Sequence, residues 1–95
     1  VSIYRRAART DENQATIVAA LREAGAAVWC IRFPLDLLVA FRGAFYLLDC
    51  KMPGKDFDEG QKRTLRLLES VGCSAVAAHD AEEALEAIGA SLDSV

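Results

Sequence analysis

Asp49 and Lys51 stand two residues apart at the end of an apolar run, Phe45–Lys51. If that run is a strand, its side chains alternate between faces, so Asp49 and Lys51 project together with Leu47. Leu48 and Cys50 then turn the other way, into the core. Asp36 opens the preceding apolar run, and the midpoint of Asp36 and Asp49 is 42.5, beside Gly43. A hairpin closing on Arg42-Gly43-Ala44 therefore sets the two acids as near neighbours on one face. Two carboxylates at one spot repel unless a cation sits between them. Hard oxygen donors favour Mg²⁺ or Mn²⁺, which keep several waters and also hold phosphate. Such a metal lowers the pKa of its bound water, and a neighbouring Lys holds the attacking water or the developing negative charge. These are the components needed to hydrolyse a phosphodiester. A [DE]-x-K triplet alone arises by chance about once per hundred or two residues. The weight rests on Asp36 joining it at hairpin-compatible spacing.

The elements that must position this cluster are legible around it. Residues 1–10 (VSIYRRAART) are basic and weakly patterned, an expected arm ahead of a domain spanning 11–95. Asp11-x-x-Gln14 has the form of a capping box, followed by Ile17, Val18, Leu21 and Ala24 at helical spacing and Gly25 as the stop. Three strand-like runs follow, Ala27–Arg32, Asp36–Phe41 and Phe45–Lys51, divided by Phe33-Pro34 and by the Arg-Gly-Ala turn. A loop with Pro53 and Gly54 leads to a second helix over about 59–71, whose apolar stripe is Leu65 and Leu68, widened by Leu67 and Val71. Ser74–His79 reads as a short strand. Asp80-x-x-Glu83 then caps a last helix with Ala81, Ala84, Leu85 and Ile88 inward, and 91–95 reads as a fraying end. The order αβββαβα predicts an α/β fold, a mixed sheet with helices packed on it.

Composition bounds the function classes. Ninety-five residues, 53% of them hydrophobic, suit one ordered domain with a modest core. The net charge of −3 hides an asymmetry: all eleven Lys and Arg precede Asp80, and five of the fourteen acids lie from Asp80 onward. Residues 1–79 are thus net basic, with Arg5, Arg6, Arg9, Lys62 and Arg63 where a nucleic acid would meet them. Cys30, Cys50 and Cys73 lie 20 and 23 residues apart, without the clustered ligands of a zinc site. They read as buried free thiols in a reducing cytosol. No apolar stretch has the length of a membrane span and no signal peptide is visible, so a cytoplasmic protein is expected. The chain starts at Val1, consistent with a few residues missing upstream.

Taken in order, DENQATIVAALREAGAAVW, PLDLLVAFRGAFYLLDCK, a helix beginning near Gly60-Gln61, and GCSAVAAHDAEEALEAIG resemble the VRR-NUC domains. These are the virus-type replication-repair nucleases of the PD-(D/E)xK superfamily, with small stand-alone members in phages and bacteria. The resemblance covers roughly residues 5–90. It implies a restriction-endonuclease-like αβββαβ(α) core with a mixed four-stranded sheet. It implies Asp36 as the first metal-binding acid, Asp49 as the second, the Cys50 backbone carbonyl as a further ligand, Lys51 as the catalytic lysine, and Gln61 as a helix Gln bordering the site. It implies a Mg²⁺- or Mn²⁺-dependent endonuclease acting on branched or replication and repair DNA, similar to Holliday-junction resolvases. Such an enzyme would be a homodimer in a bacterial or phage-infected cell, with no organic cofactor and no membrane partner.

The sequence departs from the pattern in three places. Gln14 stands where many members carry an acid on the first helix, and it brings no charge to a metal; it is equally a capping-box partner. Leu35 separates Pro34 from Asp36, and Leu65 stands in for a Trp of the second helix. Lys55, Lys62 and Arg63 are candidate phosphate contacts, with solvated charges as the alternative. His79 reads as structural or solvated, and Trp29 and Phe33 as core or dimer contacts. Two other classes of function stay open at this point. One is a catalytically inactive DNA-binding module on the same fold; the other is a structural assembly subunit whose strand acids are surface decoration.

Overall fold

The computed structural model describes the main chain of residues 2–90 and the side chains of residues 13–90. Seven elements follow in the order α1 (Ser2–Glu23), β1 (Ala27–Cys30), β2 (Leu37–Phe41), β3 (Ala44–Cys50), α2 (Glu59–Ser70), β4 (Ala75–Ala78) and α3 (Ala81–Ala87). The strands form one mixed sheet in sequence order, antiparallel from β1 to β3 and parallel between β3 and β4. A parallel pair cannot be joined by a tight turn, so α2 makes the crossover.

The first helix corrects the expected start. It begins at Ser2 and runs unbroken through Asp11, so Asp11 lies inside the helix and not at its start, and residues 2–10 are helical. The physical reason is that Arg5, Arg6, Ala7, Ala8 and Arg9 are strong helix formers with no Gly or Pro among them. A D-x-x-Q spacing inside such a stretch marks no boundary. The end is as expected: the Ala26 N–H reaches the Leu21 carbonyl at 3.0 Å and Gly25 turns left-handed, with φ 103°. The expected fraying end at 91–95 lies outside the described residues.

Register is set by the β2–β3 hairpin. Phe41 pairs with Ala44 across a two-residue loop, Arg42-Gly43, in which both residues have positive φ. That conformation matches the strand twist and selects Gly at the second position. Arg42 takes the first position with φ 51°, and its guanidinium lies 4.8 Å from the Phe41 ring centroid. Counting outward, Leu37 pairs with Leu48, and the next step brings Asp36 level with Asp49.

The core occupies one face of the sheet. Leu37, Val39 and Phe41 of β2, Val28 of β1 and Leu48 of β3 are buried against Ile17, Val18 and Leu21 of α1 and Ala84, Leu85 and Ile88 of the α3 region. α2 differs, since none of its residues is buried. Leu65 and Leu68 are half-buried, whereas Leu67 and Val71 are exposed. Trp29 and Phe33 are 49% and 83% exposed, which removes the core half of the expectation of core or dimer contacts and leaves the dimer half open. Cys30 and Cys73 are also exposed and only Cys50 packs against the core, so burial does not explain the thiols. No helix among the described residues is long and apolar enough to cross a membrane.

Candidate active site

Asp49 is the buried charged residue of the described chain, 2% exposed, and a bare carboxylate there would cost several kcal/mol. Its oxygens are instead fully engaged. Oδ1 accepts the Asp36 N–H at 3.2 Å. Oδ2 accepts Gln61 Nε2 at 2.9 Å and lies 3.0 Å from Lys51 Nζ. Asp36 answers across the ladder, its Oδ2 accepting the Cys50 N–H at 2.9 Å. The two acids thus lock the open ends of β2 and β3 to each other through side-chain-to-backbone bonds. Period-two alternation brings Lys51 onto the Asp49 face, where 17% of its side chain meets solvent.

Gln61 is held from behind. Asp58 caps α2 by accepting the Gln61 N–H at 2.8 Å, and Gln61 Oε1 accepts the Asp58 N–H at 3.0 Å. This reciprocal capping box fixes the amide's orientation: its oxygen is committed to the helix start, so its NH₂ must point at Asp49. One residue both starts the helix and donates to the buried acid.

Burial, opposed by the Cys50 amide and reinforced by the Asp49 charge, raises the pKa of Asp36 above its ordinary value. Burial, with the Asp36 and Asp49 charges, pushes the Cys50 thiol up to about 12, so it stays protonated and is no nucleophile. What Cys50 offers the site is main chain. Asp36 and Asp49 are hard oxygen donors of the kind that would suit Mg²⁺ or Mn²⁺, with the Cys50 carbonyl as the further ligand that the family resemblance implies. The mutual repulsion of the acids is what a divalent cation would relieve. No three His, Cys, Asp or Glu side chains converge among the described residues, so most of the remaining coordination would fall to water or phosphate.

The other expected positions divide. Lys55, Lys62 and Arg63 are exposed, Lys55 on the loop after Lys51 and the other two beside Gln61. Lys62 also pairs with Glu59 at 3.6 Å, an exposed contact of small worth. The side chains of Arg5, Arg6 and Arg9 lie outside the described residues. Gln14 is half-buried on α1. Its neighbour Asn13 bonds to the site strand, Nδ2 donating to the Lys51 carbonyl at 2.8 Å. A lone Asn in a helix gives no sequence signal for such a contact.

No family model matches the sequence, and no curated protein matches it. A solved structure titled "VRR_NUC domain" superposes with a TM-score of 0.70, covering 83% of this chain and 92% of its own, at 17% identity. The fold is VRR-NUC-like. At that identity the likeness is one of architecture alone, a mixed four-stranded sheet flanked by helices.

Proposed function

We propose that this protein is a Mg²⁺- or Mn²⁺-dependent DNA endonuclease. The observation that carries the reading is the joined cluster at the ends of β2 and β3: Asp36, Asp49, Lys51 and Gln61, linked by contacts of 2.9–3.2 Å. Asp36, Asp49 and the Cys50 carbonyl hold the metal. When bound, the metal activates water and neutralises charge on the scissile phosphate. The Lys51 ammonium, already tethered to Asp49, orients the nucleophilic water and offsets the charge that develops on the phosphate. Gln61 keeps the Asp49 carboxylate in place. Lys55, Lys62 and Arg63 contact flanking phosphates, and Arg5, Arg6 and Arg9 extend the basic surface. The substrate class is branched or replication and repair DNA, in the cytoplasm of a bacterial or phage-infected cell. A homodimer carries two such sites, its second copy covering exposed aromatics such as Trp29 and Phe45.

A second reading has one specific observation behind it. α1 reaches this end of the sheet through the neutral amide of Asn13, and among the described residues no third carboxylate joins Asp36 and Asp49. That favours a DNA-binding module without catalysis. Cleavage of labelled single strand, duplex, flap and four-way junction with Mg²⁺ or Mn²⁺ separates the two. Metal-dependent cutting that Asp36→Asn and Lys51→Ala abolish supports the endonuclease. Binding without cutting by the wild-type chain on every substrate leaves the module. Sedimentation velocity at micromolar concentration tests the dimer, and a monomer there removes it.

A further inference from the structure

The contact between α1 and the site strand has a geometric reason. Lys51 lies one residue beyond β3, and its N–H donates to the Ala78 carbonyl at 2.9 Å. In a regular parallel ladder the carbonyl of that same residue takes its bond from position 80. Here β4 has already ended. The His79 N–H turns to Glu83 Oε1 at 2.9 Å, and Asp80 is the N-cap of α3. The rung that would fix the Lys51 carbonyl is therefore not made by β4. Asn13 makes it instead, from 38 residues away, with a side-chain amide at 2.8 Å. Asn13 is one turn before Ile17, which is fully buried in the core, so α1 brings the amide to the strand on a rigid face.

We infer that Asn13 is a positioning residue that extends the sheet by one rung and thereby sets the Lys51 side chain against Asp49. This rests on the nuclease reading above for its consequence, though not for the contact itself. The next residue, Met52, is exposed, and the turn that follows is closed on itself by the Lys55 N–H to the Met52 carbonyl at 3.0 Å and held by His79 at the Lys55 carbonyl; neither bond reaches the Lys51 carbonyl. Held at both its N–H and its carbonyl, Lys51 keeps its Nζ 3.0 Å from the Asp49 carboxylate. Released at the carbonyl, the residue gains rotational freedom at the point where about an ångström of misplacement costs on the order of a hundredfold in rate.

The test uses Asn13→Asp, nearly the same shape but without the amide donor, and Asn13→Ala as a milder partner. Four quantities are read for the full chain: melting temperature, affinity for uncut DNA in Ca²⁺, kcat with Mg²⁺, and hydrogen exchange of the Lys51 amide. The expected result is melting within a few degrees of wild type and DNA affinity within about twofold. Exchange at Lys51 should quicken at least about tenfold and kcat should fall by about ten- to a hundredfold. A purely structural role would move melting and affinity along with kcat. Unchanged exchange at Lys51, or quickened exchange with wild-type kcat, overturns the inference. Quickened exchange in a chain whose wild type cuts no DNA upholds the contact and removes the nuclease reading.

Discussion

The two faces of the sheet are built on different terms. On one, α1 and α3 bury Ile17, Leu21, Leu37, Val39 and Leu48 to full exclusion of water. On the other, α2 buries nothing completely, Leu67 and Val71 stand in solvent, and Trp29 and Phe45 are exposed. The polar cluster of Asp49, Lys51 and Gln61 belongs to the second face. The apolar packing is thus concentrated on the first face, and the candidate site lies on the one where packing is thin. α2 is held there less by apolar contact than by the Asp58–Gln61 box and by Gln61's bond to Asp49.

Cavity mutations should show the largest difference between the two faces. Leu21→Ala on the packed face should cost about 3–5 kcal/mol, by loss of buried surface and a residual void. Leu67→Ala on the open face, at a residue 69% exposed, should cost under about 0.5 kcal/mol. Urea denaturation of both variants measures the difference. Equal losses would mean that α2 is packed in solution as α1 is, by a second copy or otherwise.

Next in size is the removal of the Lys51 charge. Lys51→Met keeps most of the side-chain volume but leaves Asp49 with only the Asp36 and Gln61 donors. A buried carboxylate stripped of its cation should cost about 2–3 kcal/mol, part of the usual loss being spared by the remaining donors. Lys51→Met paired with Asp49→Asn should recover much of that loss without recovering activity. A double variant as unstable as Lys51→Met alone would show that the pair is not what stabilises the strand end.

A smaller effect belongs to the capping box. Asp58→Ala removes the acceptor for the Gln61 N–H and should cost about 1 kcal/mol. It also frees the Gln61 amide to rotate away from Asp49, so cleavage should fall more than stability does. Asp80→Ala, which strips the equivalent cap from α3, should cost a similar amount and leave cleavage near wild type. Matching losses of activity in the two would separate the cap from the site.

How far the sequence revealed this arrangement follows from the reach of each signal. The placement of Asp36 against Asp49 was readable because a hairpin centred on Gly43 fixes register arithmetically, and Lys51 followed from strand alternation. Those are local rules. The start of α1 was misread because a capping motif and the interior of a helix share the same residues, and only the lack of any breaker before Asp11 tells them apart. The thinness of the α2 face was hidden because an apolar stripe at Leu65 and Leu68 shows where a helix would be covered, not how completely. Asn13 was missed for a deeper reason. Its partner is the main chain of a strand end, and a missing rung is visible only once β4 is known to stop at Ala78.

The smallest predicted effect lies at the edge between the two faces, where His79 ties the loop after Lys51 to α3. Its Nε2 is 2.6 Å from the Lys55 carbonyl and its Nδ1 is 2.7 Å from Glu83 Oε1. Both partners are acceptors, so both ring nitrogens carry protons when the two bonds are made together. The Lys55 carbonyl first, then Glu83, and more weakly Asp56, raise the His79 pKa above its ordinary 6.5, while His79 lowers that of Glu83. The sign follows from linkage. A raised histidine pKa adds stability that is complete below about 6.5 and lost as pH climbs through the folded value; a lowered glutamate pKa adds stability that is lost as pH falls through its own. The clasp is therefore strongest between the lowered Glu83 value and the raised His79 value, and loosens as pH climbs through the latter. Because the ring is exposed, the gain is small and salt-sensitive. A titration of the His79 ring protons by NMR should give a midpoint above 6.5, returning towards 6.5 in Glu83→Gln. Hydrogen exchange in residues 52–57 should quicken as that midpoint is passed. A midpoint at or below 6.5 would mean that this loop is not held by charge, and that the edge of the site belongs with the open face rather than with α3.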